Sequence, residues 1–79
     1  MNTFPAFERQ VSAHEDQVYR FARSMLNDDA TAQDVTQEVL VTLWEHQDEL
    51  DEEGVIAWLM RVTRNACIDR LRARQRRRK

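Results

Sequence analysis

The sequence predicts an all-α protein, a compact bundle of three main helices of which the last is long and basic. Three observations carry that prediction. Apolar residues recur at helical spacing in three stretches of the chain. Two polar breaks, Asn27-Asp28-Asp29 and QDELDEEG, separate those stretches. One Gly and one Pro among 79 residues leave few turn formers. A chain of this size buries only about 60% of its unfolded surface, so it is one small domain whose core must be efficient.

The first helix is expected from about Pro5 to Leu26. Phe7, Val11, Val18, Ala22 and Met25 fall at helical spacing, with the polar His14 filling the gap in the stripe. Phe4 and Phe7 flank Pro5, a residue suited to a helix's first turn. The Asn27-Asp28-Asp29 break then offers side chains that cap the next helix.

The second helix is expected from about Ala30 to His46, and it carries apolar residues on two faces. At 100° per residue Ala32, Val35, Val39 and Leu43 make one stripe. The opposite face holds Asp34, Gln37, Val41 and Trp44, with Glu38 and Leu40 at its edges. A helix apolar on both sides buries both, against sister helices or a partner. Val41 and Trp44 therefore belong either to an external contact or to a bundle in which this helix is central.

After the acidic loop ending at Gly54, the third helix is expected from near Val55 to about Ala73, about 28 Å at 1.5 Å per residue. Val55, Trp58, Leu59, Val62 and Ala66 are its expected core side, and Trp58 is assigned to that core. Arg61, Arg64, Arg72 and, more laterally, Asn65 lie away from the stripe. Ile68, Leu71 and Met60 lie on the far side, pointing to a bend, a partner or a second packing surface.

Charge is distributed very unevenly. Residues 1–60 hold three arginines against thirteen carboxylates, whereas residues 61–79 hold nine basic groups and only Asp69 as an acid. The formal net charge of −2 therefore conceals a body of −10 and an end of +8. Such asymmetry is a statement about partners: a basic end seeks phosphate or an acidic surface. For Arg76 to Lys79 the alternative is a disordered, solvated tail, since blocks of like charge are often disordered.

Several function classes are not indicated. His14, His46 and Cys67 are scattered, without CxxC, HExxH or paired zinc spacing. There is no Gly-rich phosphate loop and no recognisable carboxylate pair, so neither an enzyme nor a cofactor is expected. His14 is expected at the inner edge of the first helix and Cys67 as a small surface or packing residue. One cysteine allows no internal disulfide. The N-terminal MNTFPAFERQ has no secretory pattern, and no apolar run approaches the roughly 18 residues of a membrane span. The expected setting is the cytoplasm.

Two motifs then carry a resemblance. FARSMLNDDATAQDVTQEVLVTLWEH resembles regions 2.1 to 2.2 of an extracytoplasmic-function (ECF) sigma factor, whose D-x-x-Q-E-x-x-x-x-x-W pattern stands here as Asp34, Gln37, Glu38 and Trp44. IAWLMRVTRNACIDRLRARQRRRK is similar to regions 2.3 and 2.4, with Trp58, Leu59, Arg61, Asn65, Asp69, Leu71 and Arg72 filling the W-L-x-R-[IV]-x-x-N-x-x-x-[DN]-x-L-R pattern. The resemblance covers nearly the whole chain, with both motifs in the family's order.

The resemblance implies a dissociable subunit that gives bacterial RNA polymerase its promoter choice. It implies that Asp34, Gln37, Glu38, Val41 and Trp44 dock on the coiled-coil clamp helices of the polymerase β′ subunit. The first three sit at i, i+3 and i+4, neighbours suited to basic side chains, although an ordinary solvated helix face has the same spacing. It implies further that the third helix and the preceding loop hold the non-template strand of the promoter −10 element and accept a flipped base. Flipping costs a few kcal/mol, offset by contacts to the extruded base. Asn65 matches the family asparagine near that pocket; its amide either meets a base edge or bonds the local backbone. Arg61, Arg64, Arg72 and Arg74 would hold phosphates, positioning the strand without reading it. An anti-sigma factor is a further partner by family analogy, and no membrane contact is implied.

The chain departs from the family pattern in three ways. Asp48 to Glu53 includes five carboxylates where many relatives carry an aromatic and a basic residue. Val55 stands where an aromatic is frequent, weakening base stacking. The sequence ends at Lys79, leaving no room for the family's second helix-turn-helix domain, region 4. Residues 1–72 are accordingly expected to form the helical domain and 73–79 a basic tail that begins a linker, as in a fragment of a longer protein; a stand-alone domain is the alternative. Two other functional readings compete: a small helical nucleic-acid-binding protein with no polymerase partner, its affinity falling steeply with salt, and an interaction module whose basic helix meets an acidic partner or membrane surface.

Overall fold

The computed structural model describes residues 4–51 and 53–77. In the first helix it describes side chains at Arg9, Ser12 and from His14 onward. The roles expected of the Phe4, Pro5, Phe7 and Val11 side chains lie outside the described residues, as do Glu52 and Lys79. The chain forms α1 (Phe4–Leu26), α2 (Asp29–His46), a 3-10 turn (Gln47–Glu49) and α3 (Val55–Arg77), with no strand among the described residues. The three-helix bundle is as expected, with each helix packed against both others.

The turn between α1 and α2 is built by its own side chains. Asn27 adopts φ 56°, the left-handed conformation that ends a helix and that Asn tolerates better than most residues. Its N–H donates to the Arg23 carbonyl at 2.9 Å. Asp28 is extended, with φ −151° and ψ 122°, and its carboxylate accepts from the Thr31 N–H at 2.8 Å and from the Thr31 hydroxyl. The break was expected to offer a cap for a helix from about Ala30; the helix starts at Asp29, and Asp28 is the cap, its carboxylate satisfying a donor that the first turn leaves open. The Tyr19 hydroxyl donates to Asp29, tying α1 to the same end of α2.

The two Thr31 donors hold the Asp28 carboxyl below its ordinary value of 3.8, with Arg74 and Arg23 acting in the same direction. A depressed folded-state value stabilises the fold above the ordinary carboxylate range, and that contribution is lost as pH falls through the folded value. Asp28→Ala is therefore expected to lower Tm by a few degrees at pH 7. The gap to wild type should narrow as the pH is taken down past about 4. Paired thermal melts across that range, followed by circular dichroism, check both parts.

The core is drawn from all three helices. Val18, Ala22 and Leu26 of α1 meet Ala32, Val35, Val39 and Leu43 of α2 and Val55, Leu59 and Cys67 of α3, all buried. The α2 stripe is the expected one. His14 is half-buried, in keeping with an inner-edge position. Met25, Trp58, Met60, Val62, Ala66 and Leu71 pack around the core without full burial.

The phase of α3 differs from expectation by one residue. The buried line is Val55, Leu59, Thr63 and Cys67, while Trp58, Val62 and Ala66 flank it. Burial of Thr63 is possible because its hydroxyl donates to the Leu59 carbonyl at 2.6 Å, leaving its methyl to pack. Thr36 of α2 is buried the same way, on the Ala32 carbonyl at 2.8 Å. Cys67 behaves as a small hydrophobe, and burial pushes its thiol above the usual range.

Helix α3 also runs four residues past the expected end at Ala73, to Arg77. Arginine is a good helix former, and cations in a last turn complement the helix dipole. Arg74 adds a tertiary anchor, its NH1 donating to the Leu26 carbonyl at the end of α1 at 2.8 Å. No helix among the described residues is long and apolar enough to cross a membrane.

Candidate functional site

Among the described residues, the outer face of α2 is where large apolar side chains are exposed. With Ala32, Val35, Val39 and Leu43 turned inward, helical geometry sends Asp34, Gln37, Val41 and Trp44 outward. Val41 is 58% and Trp44 39% exposed. The opposed apolar residues thus separate cleanly into a buried set and a surface set.

Asp34, Gln37, Glu38 and Val41 line one shallow groove with Thr42 and with Arg70 of α3. Trp44 extends the same face by one turn toward the 3-10 segment. Within the groove the Arg70 guanidinium donates to Oε2 of Glu38. The groove thus combines an amide, two carboxylates, one guanidinium and an exposed valine. On the other flank of α2, Gln33 and Gln37 border a second depression with Ser12, Glu15 and Asp16 of α1.

The exposed face of α3 collects most of the expected nucleic-acid residues. At 100° per residue Arg61, Asn65 and Arg72 fall within about 40° of one another, with Arg64 about 60° to one side. All four are exposed, on the side opposite the Leu59–Thr63 line. Arg74 is not with them: it is half-buried and committed through NH1 to Leu26. Beside the basic face, Ile68 and Leu71 line a largely apolar depression with Arg72, Arg74 and Gln75.

The acidic loop before α3 is partly occupied with its own structure. Asp51 accepts from the Gly54 N–H at 2.7 Å through its side chain, and its carbonyl accepts from the Val55 N–H at 3.1 Å. It therefore caps the start of α3. Glu49 pairs with His46 Nδ1 at 2.6 Å, and the His46 ring packs on Trp58 at a centroid distance of 5.7 Å. Two of the carboxylates that face the loop's surroundings thus already have partners within the protein.

Arg70 was not among the expected site residues. The signal was present in the register: Arg70 and Arg74 continue the line of Val55, Leu59, Thr63 and Cys67. An arginine on the core side of a helix must find an acceptor, and these two find Glu38 and Leu26. No cluster of three metal-ligating side chains occurs among the described residues.

The family model for Sigma-70 region 2 matches residues 10–77. The chain is 42% identical over 55 residues to the ECF RNA polymerase sigma factor SigM of Bacillus subtilis, covering 70% of this chain and 34% of that one. It is 36% identical over 62 residues to SigL of Mycobacterium tuberculosis, covering 76% and 35%. It is 31% identical over 72 residues to SigE of Mycolicibacterium smegmatis, covering 91% and 28%. The chain thus matches about a third of the length of these relatives. No solved structure matches it significantly.

Proposed function

The chain belongs to the sigma-70 region 2 family, in its extracytoplasmic-function branch, and from that premise we propose that it binds core RNA polymerase and recognises and melts the promoter −10 element. The sigma factor family is not an enzyme family. In this reading Asp34, Gln37, Glu38, Val41 and Trp44 dock on the clamp helices of the polymerase β′ subunit. The observation that carries it is the groove on α2, in which four of those five residues line one surface beside the exposed Trp44. An exposed apolar centre edged by charged and amide groups has the chemistry of a protein interface.

The second half of the function falls to α3. Arg61, Arg64 and Arg72 hold phosphates of the non-template strand, and Asn65 on the same face meets a base edge. Arg74, bonded to Leu26, adds positive charge at the margin. The exposed loop carboxylates Asp48 and Glu53 disfavour phosphate nearby, so the strand is held from the helix side. An anti-sigma factor that covers the α2 groove or the α3 face would silence the domain. The proposed location is the cytoplasm, where its polymerase is.

Titration of the isolated β′ clamp helices into the wild-type chain by calorimetry tests this reading. The expected result is saturable binding with a one-to-one stoichiometry. Heat that never saturates, together with a steeply salt-dependent affinity for any DNA offered, would instead make the chain a generic nucleic-acid binder.

A further inference from the structure

On the reading that the α2 groove docks on polymerase, we propose that Arg70 is a positioning residue for that docking, fixing the Glu38 carboxylate in the geometry a basic partner side chain meets. The two residues are 32 positions apart in sequence and come from different helices. Their exposures are unequal: the Arg70 side chain is 32% exposed and that of Glu38 is 55% exposed. The arginine is therefore the more buried, anchored member and the glutamate the presented one. Arg70 occupies the core line of α3 one turn beyond Cys67, so its stem packs along the bundle and its head has a restricted set of positions.

The pairing leaves Glu38 able to bind. Arg70 donates to Oε2, and a carboxylate offers about four acceptor sites across its two oxygens. With Asp34 and Glu38 against Arg70, the groove keeps a net charge of −1. It still attracts a cationic partner. What the partner no longer has to do is freeze a long, mobile glutamate, an entropic cost that otherwise weakens binding. The same bond ties the polymerase-facing helix to the basic helix.

The test is a titration of core RNA polymerase with wild type, Arg70→Gln, Glu38→Ala and the double variant, each checked for folding by thermal melt. Arg70→Gln keeps most of the stem and removes the charge. Its affinity is expected to fall about three- to tenfold, and in the Glu38→Ala background the same change should have no further effect. Arg70→Lys should recover part of the loss. A charge-swapped chain, Glu38→Arg with Arg70→Glu, should melt close to wild type and fail to bind, separating presentation of a carboxylate from stability. Unchanged or tighter binding by Arg70→Gln, or an equal loss in both backgrounds, would overturn the positioning role while leaving docking intact. Absence of binding by wild type itself would overturn docking and the positioning role together.

Discussion

Leu59→Ala is expected to destabilise the fold by about 2–5 kcal/mol, the range for removing a large aliphatic side chain from a packed core. Leu59 is fully buried, at 0% exposure, on the central line of α3, and it belongs to the cluster formed by all three helices. The void left by truncation has little prospect of closing. Neighbouring Thr63 is fixed by its hydroxyl bond to the Leu59 carbonyl, and the helix backbone cannot move inward without disturbing that turn. A domain of this length has a total stability on the order of 4–12 kcal/mol, so the substitution removes a large share of it. Urea unfolding followed at 222 nm should show a much lower midpoint for Leu59→Ala or no folded baseline at all. Val41→Ala is the control. It deletes a comparable apolar side chain that is 58% exposed, and its midpoint should stay close to wild type. Equal shifts in the two variants would mean that the burial described for these helices is incorrect.

The contrast between those two residues indicates what the sequence could reveal. Helix α2 was legible because four of its five buried positions, Ala32, Val35, Val39 and Leu43, are aliphatic and only Thr36 is not, so its period and phase are read together. Val41 and Trp44 then stood out as a second apolar face. The Asp28 cap was legible because the acceptor, the break and the receiving Thr31 are local. Helix α3 was legible in kind but not in phase, because two of its four buried positions are Thr63 and Cys67. A threonine that bonds its own helix is apolar outward, a fact that composition hides. The end of α3 was misjudged for a related reason. A run of arginines reads as a solvated tail unless one knows that Arg74 reaches the Leu26 carbonyl, 48 residues away. The Glu38–Arg70 bond is likewise long-range, and each partner seen alone resembles an ordinary surface charge. Residue type and spacing therefore pointed to the two faces proposed as binding surfaces. They could not reveal which charges the fold had already paired.

Replacing Asp34, Gln37 and Glu38 together by Ala is expected to weaken binding to core RNA polymerase by at least about 100-fold, as measured by competition against wild type. Truncating a central interface contact commonly costs about 1–2 kcal/mol or more, and every 1.4 kcal/mol is about tenfold in affinity. Three such contacts removed from one groove sum to about 3–6 kcal/mol, above the roughly 2.8 kcal/mol of a 100-fold loss when their effects are close to additive. The fold should survive. All three side chains are exposed, alanine is the best helix former, and among the described residues the tertiary bond lost is that from Arg70 to Glu38. Val41 and Trp44 remain, so any residual affinity measures what the apolar part of the face contributes without its polar surround. The basic face of α3 is also untouched, and salt-dependent affinity for DNA should be the same as in wild type. That pairing of results, polymerase binding lost and DNA binding kept, requires two separate surfaces, and none of Arg61, Asn65 and Arg72 lines the α2 groove. A folded triple variant that still bound polymerase with wild-type affinity would remove α2 from the docking surface and leave its exposed valine and tryptophan to be explained by a different partner.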